Sequence, residues 1–186
     1  MDQIDRTKFG EGTLELDPID RKVLAILQAD CKTSLARIGE RVGLSAAALL
    51  ERIRKLERAG VITGYHAVVD GRRLGLDLTA FIGVSMNYPK MIESFERSVA
   101  RIPYVLECHH VTGAHSLLLK VKTWNTHSLE TLISKIRAID GVQRTDTMVV
   151  FSTRTERTQV PVEREEEPAA PKKRTSTAAK KPRRTR

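Results

Sequence analysis

Aromatic residues make up only 4% of this chain. Their scatter provides no ring-lined surface on which the bases of a single-stranded nucleic acid could stack. Cysteine is nearly as scarce: Cys31 and Cys108 are too few for a disulfide scaffold and offer no CxxC spacing for zinc. A reduced, intracellular setting is the default. No apolar run approaches the ~20 residues of a membrane-spanning helix, and the opening MDQIDRTKFGEG holds no apolar signal segment. Gly71, Gly75 and Gly83 form no phosphate-binding loop. Acidic residues are also in deficit, 23 against 32 basic ones, which gives +9 over 186 residues. That excess is local. Residues 168–186 carry eight basic and no acidic side chains, so the remaining chain is close to neutral.

Hydrophobic residues, at 40%, suffice for a packed core over most of the length. Residues 1–15 read as a flexible leader. Asp17-Pro18-Ile19-Asp20 then places a capping side chain before a proline at the first helical position. Val23, Leu24 and Leu27 recur at helical spacing, which predicts a helix from about Pro18 to Ala29. Ser34 caps a second, short helix carrying Leu35, Ile38 and Val42. After Gly43-Leu44, Ser45 caps a third from Ala46 to Ala59, with Leu49, Ile53 and Leu56 on one face. Three short helices, the last two joined by a tight Val-Gly-Leu-Ser turn, fit a helix-turn-helix. An ordinary three-helix bundle fits the same spacing.

Beyond Gly60, residues 61–69 are β-prone, and Arg72–Gly75 reads as a turn. The second region alternates: a strand Leu78–Met86, a helix marked by Ile92, Phe95 and Val99, strands Tyr104–Val111 and Leu117–Thr123, a helix marked by Leu129, Leu132 and Ile136, and a last strand from Val142 to Phe151. The order β-α-β-β-α-β is the ferredoxin-like fold, four antiparallel strands with both helices on one face. Leu117–Leu119 and Met148–Phe151 are apolar on both faces, although two helices cover only one. A second copy is the simplest cover for the other, which makes Phe81, Leu118, Val149 and Phe151 candidates for a dimer interface. After Val162 no large apolar residue appears, so a disordered basic tail is expected. Its cations, Lys172, Lys173, Arg174, Lys180, Lys181, Arg183, Arg184 and Arg186, suit counterion-release binding to DNA, or serve solubility alone.

The stretches Leu16–Leu24, Arg41–Ser45, Arg52-Ile53, Leu56-Glu57, Gly60–Ile62 and Gly64-Tyr65 resemble the Lrp/AsnC (feast/famine) transcription regulators. So do Leu74–Leu76, Phe95, Pro103, Val105–Cys108, Val111–Gly113, Leu118–Val121 and Gly141-Val142. The resemblance covers roughly residues 14–155 in unbroken order. It implies an α+β protein: a winged helix-turn-helix over 16–63, a β-hinge over 64–77 and a ferredoxin-like βαββαβ (RAM-type) domain over 78–156; the leader and the tail at 157–186 lie outside it. It also implies a homodimer or larger assembly and a small molecule, usually an amino acid, held between subunits. The expected function is a sequence-specific DNA-binding transcriptional regulator, cytoplasmic and nucleoid-associated, with no enzymatic activity, no cofactor and no membrane partner. An architectural nucleoid protein with a non-specific basic tail is the alternative, and a ferredoxin-like small-molecule enzyme or sensor is a third reading.

The expected contacts to double-stranded DNA are Ser34 and Arg37 at the start of the second helix and Ser45, Ala46, Ala47, Leu50, Arg52, Arg54 and Lys55 on the third. Ala46, Ala47 and Leu50 are apolar where a base-reading helix often presents polar groups, which shifts weight to thymine methyls and DNA shape. Arg37 stands where relatives often carry Glu. The effector loop is Thr112, Gly113, Ala114, His115 and Ser116. Relatives commonly place an acid three residues after its glycine to hold an ammonium group; here that residue is Ser116. His115 either bonds an effector carboxylate or is a solvated turn residue. Cys108 and His110 can share a strand face while His109 points away, too few ligands for a metal. Ser45 has a cap's position and no nucleophile's partners.

Overall fold

The structure, a computed structural model, describes residues 15–162. They form two compact units, one of residues 15–65 together with 157–162 and the other of residues 66–156. The expected leader and the tail cations from Lys172 to Arg186 lie outside the described residues.

The first unit is built from α1 (Pro18–Ala29), α2 (Leu35–Val42) and α3 (Ala46–Arg58). Each starts on the expected cap. Asp17 and Asp20 form a reciprocal capping box at α1, with Asp20 N–H donating to Asp17 Oδ1 at 2.7 Å and Asp17 N–H to Asp20 Oδ2 at 3.2 Å. Ser34 Oγ and Ser45 Oγ accept the Arg37 and Ala48 amides at 3.4 and 3.2 Å. Val23, Ile38, Leu49 and Ile53 bury the facing stripes of all three helices. The turn between α2 and α3 depends on Gly39, which is buried in the last turns of α2 and takes the Leu44 N–H on its carbonyl at 3.0 Å. A Cβ at Gly39 would lie 2.5 Å from the Leu44 carbonyl oxygen, so only glycine lets the chain reverse this closely.

Residues 61–77 contain no strand, so the β-prone run at 61–69 and the β-hinge expected over 64–77 are both unpaired. Val61 and Ile62 donate to Leu56 O and close α3, and the chain then runs exposed, with Val68 85% accessible. β-propensity becomes a strand only when another strand supplies the partner groups. Residues 157–162 also depart from expectation. Composition assigns them to the tail, yet they lie against α1: Gln28 and Val160 exchange two hydrogen bonds, and Arg21 Nη1 donates to Val162 O at 2.6 Å. Polar groups on α1 hold the segment without any apolar residue having to anchor it.

The second unit is a four-stranded antiparallel sheet of β1 (Leu78–Met86), β2 (Val105–His110), β3 (Leu117–Thr123) and β4 (Val142–Val149), in the order β2-β3-β1-β4. Helices α4 (Ile92–Val99) and α5 (Thr126–Arg137) cover one face. This is the expected ferredoxin-like βαββαβ order. Ala80, Ile82 and Val84 of β1 and Leu117, Leu119 and Val121 of β3 meet Phe95, Val99, Leu132 and Ile136 in the core. Thr145, buried on the same face, is satisfied by Arg137 Nε at 2.7 Å.

Candidate functional sites: the helix-turn-helix and the open sheet face

On α3, Leu49, Ile53 and Leu56 point into the core. At 100° per residue the opposite side carries Ala47, Glu51, Arg54 and Arg58, flanked by Lys55. All five are exposed, as are Ser45 and Ala46, while Leu50 is half-buried at the edge of the face. Arg54 Nη1 donates to Glu51 Oε1 at 2.8 Å in an exposed pair, which leaves its Nε and Nη2 donors for an approaching phosphate. Arg58 was not among the expected contacts. Its spacing of four from Arg54 is the signal that places it on the same face. Ser34 and Arg37 are exposed at the start of α2.

Arg52 requires a correction. Its Nη1 donates to Asp17 Oδ2 at 2.5 Å and to Asp20 Oδ1 at 2.7 Å, and the Asp20 side chain is only 4% exposed. Arg52 therefore clamps α3 to the capping box of α1 and is spent inside the unit. The Asp20 backbone N–H, then the Arg52 guanidinium, hold the Asp17 carboxyl below its ordinary range against the opposing effect of burial.

The sheet face without helices is ordered in rows by the strand register. One row runs Glu107, Lys120, Phe81, Met148, and the next His109, Leu118, Gly83, Asp146. Phe81 and Leu118 thus stand on the open face as expected. Val149 does not. It pairs with Ala80, whose side chain is buried beneath the helices, so Val149 shares the helix-covered side and Met148 takes its place beside Phe81. The reason is register: with a period of two, one residue decides the face. Phe151 stands past the end of β4 and is fully exposed.

The open face is also partly covered by its own chain. Residues 150–156 run back over its Phe81 end, enclosing with Thr79, Phe81 and Lys120 a cavity of about 310 Å³. Lys120 Nζ donates to Glu107 Oε1 at 3.1 Å and to Glu156 Oε1 at 2.7 Å, and its side chain is only 18% exposed. The hydrogen bond from Lys120, then the charges of Lys120 and Lys122, hold the Glu156 carboxyl below its ordinary range. His109 Nε2 lies 3.1 Å from Glu107 Oε2 on this face, whereas Cys108 faces the helices, where burial pushes its thiol up to about 11. That thiol stays protonated at neutral pH, which disfavours it as a nucleophile.

In the expected effector loop, Thr112, Gly113 and Ala114 are exposed and the last two residues are tied down. Ser116 N–H donates to Val84 O at 2.9 Å, and its Oγ accepts the Met86 N–H at 3.3 Å. His115 is not a solvated turn residue. Its ring lies over Gly83, where a Cβ would come within 2.4 Å of Cδ2, with Nδ1 3.4 Å from Ser85 Oγ and Nε2 3.5 Å from Asp146 Oδ2.

Elsewhere in this unit a cavity of about 480 Å³ is lined by Tyr104, Trp124 and Leu132, with Arg101, His127 and Lys135 among its polar residues. The two rings meet edge to face at 4.8 Å. Among the described residues no helix is long and apolar enough to cross a membrane.

Comparison with known proteins agrees with this architecture unit by unit. Residues 16–57 match the AsnC-type helix-turn-helix domain and residues 79–160 the Lrp/AsnC ligand binding domain. The chain is 37% identical to the HTH-type transcriptional regulator FL11 of Pyrococcus horikoshii, over 79% of this chain and 97% of that protein. It is 36% identical to the leucine-responsive regulatory protein of Escherichia coli, over 74% of this chain and 85% of that one. Among solved structures, the transcriptional regulator NMB0573 of Neisseria meningitidis in complex with L-Met superposes with a TM-score of 0.75 at 30% identity, over 80% of this chain and 97% of the other. With a capped helix-turn-helix in one unit and a four-stranded ligand-domain sheet in the other, this chain belongs to the Lrp/AsnC family of DNA-binding transcriptional regulators.

Proposed function

We propose that the chain is a sequence-specific regulator that binds double-stranded DNA as a homodimer or larger assembly and responds to an amino acid bound between subunits. The observation that carries the DNA reading is the exposed face of α3. Ala46 and Ala47 are small enough to let the backbone approach the major groove, and Arg54, Lys55 and Arg58 lie beside them for guanine or phosphate. Ser34, Ser45, Arg37 and the half-buried Leu50 complete the contact set, and the Arg52 clamp fixes the angle of α3. The open sheet face supports the dimer: Phe81, Leu118 and Met148 lie in adjacent rows, ringed by ion pairs. A second copy would cover them and could pair the exposed residues 64–70. The L-Met complex of NMB0573 and the name of the leucine-responsive relative support an amino acid as effector. Regulation, without catalysis, accounts for all of these features, and its setting is the nucleoid.

The cations of residues 168–186 add sequence-independent affinity through counterion release in this reading. Footprinting on genomic fragments tests it. Base-specific protection, lost in Arg54→Ala by about 1–3 kcal/mol of affinity with the fold intact, is expected. Uniform coverage that vanishes when residues 168–186 are deleted would favour an architectural nucleoid protein instead.

A further inference from the structure

The loop assigned to the effector contains no carboxylate, and Ser116 already accepts the Met86 amide on its Oγ. An amino acid presents both an ammonium and a carboxylate, and two opposite charges stand next to that loop on β4. Arg144 and Asp146 are two residues apart on the open face, with Arg144 Nε and Nη2 donating to Asp146 Oδ2 at 2.9 and 2.6 Å. The same Oδ2 lies 3.5 Å from His115 Nε2, which leaves Oδ1 pointing to no side-chain donor among the described residues. His115 reaches this position only because Gly83 has no side chain, and Ser85 braces its other nitrogen. Both charged groups are accessible, 41% for the Asp146 side chain and 66% for Arg144.

Resting on the amino-acid reading above, we infer that Asp146 holds the ammonium of the effector and Arg144 its carboxylate, so that β4, and not the 112–116 loop, supplies the charged half of the site. A zwitterion is the ligand class that fits, because it satisfies both members of the pair at once. An exposed Arg–Asp pair contributes little by itself, so inserting a ligand into it costs little. Each charge-assisted bond regained with the ligand is stronger than a neutral one. His115 is then a positioning residue, which fixes the Asp146 carboxylate from the side of the loop.

Calorimetric titration of the full-length protein with each of the twenty L-amino acids identifies the tightest ligand, and the same titration is run with its N-acetyl derivative. At least tenfold weaker binding is expected in Asp146→Asn, retention within a few-fold in Asp146→Glu, and no binding of the N-acetyl form to the parent protein. Light scattering and circular dichroism on each variant confirm that assembly and fold persist, and the N-acetyl comparison needs no variant at all. Equal affinity for the free and N-acetyl ligands, or unchanged affinity in a folded Asp146→Asn, overturns the inference while leaving the amino-acid reading in place. If the parent protein binds none of the twenty, the amino-acid reading falls and this inference falls with it.

Discussion

The side-chain amide of Gln28 on α1 pairs with the backbone of Val160 in both directions, Nε2 donating to the carbonyl at 3.1 Å and Oε1 accepting the N–H at 2.8 Å. Gln159 adds a bond back, its Nε2 donating to Gln28 O at 2.8 Å. A segment that follows the sheet unit in sequence is thereby part of the helical unit. Each such bond contributes about 0.5–1.5 kcal/mol net at an exposed site. Gln28→Ala is expected to release the segment, which hydrogen exchange reads as lost protection of the Val160 amide while amides of α2 and α3 keep theirs. Truncation after Glu156 should lower the melting temperature of the helical unit, and truncation after Val162 should not. A Val160 amide still protected in Gln28→Ala would show that the pairing does not hold the strap.

Arg52 and Arg54 stand two residues apart on α3 with opposite duties. Removing Arg52 leaves the buried Asp20 carboxylate with only the Asp17 amide, a loss of about 1–3 kcal/mol. Arg52→Ala should therefore lower the melting temperature of the helical unit by roughly 5 °C or more. Arg54→Ala should leave it unchanged and weaken DNA binding. Equal melting temperatures for the two variants would contradict the clamp.

The local signals in the sequence were legible and the distant ones were not. Asp17, Ser34 and Ser45 cap helices through bonds three residues long, so their sequence context suffices to place α1, α2 and α3. Apolar spacing likewise locates the strands to within two residues. The Arg52 clamp joins groups 32 and 35 residues apart, and the Gln28–Val160 pairing spans 132, distances over which no periodicity reports. The face of Val149 depends on how β4 aligns with β1, where the register shifts between Ser85 and Met86. Residues 61–69 have strand composition without a strand partner, so propensity alone misleads there. Asp146 and His115 meet only through the fold: nothing in the loop sequence points to β4.

The corrected register makes a sharp test of the dimer face. Met148 and Phe81 face each other across β1 and β4 on the open side, while Val149 lies with Ala80 on the helix side. Burying an unpaired carboxylate at an interface costs several kcal/mol. Phe81→Asp and Met148→Asp are expected to dissociate the dimer in light scattering, and Val149→Asp to leave it assembled, since Val149 is 45% exposed at the end of β4. Dissociation by Val149→Asp with an intact Met148→Asp dimer would reverse the assignment of faces.

The contact of Glu156 with Lys120 predicts how acid acts on the covered end of that face. The folded pKa of Glu156 is depressed by its bond to Lys120, then by the Lys120 and Lys122 charges. A depressed carboxylate contributes stability above its ordinary value, about 4.3, and loses it as the pH falls through the lower folded value. Between pH 8 and 5 the latch over Phe81 is therefore constant, and below the ordinary carboxylate range it opens. Since the Glu156 side chain is 48% exposed, salt screens the pair, so the latch is weaker at high ionic strength. A side-chain carboxyl titration followed by NMR should place Glu156 below its ordinary value in the parent protein and return it upward in Lys120→Met. A midpoint unmoved by Lys120→Met would mean that the ammonium does not hold the segment against the sheet, and that residues 150–156 cross Phe81 for another reason.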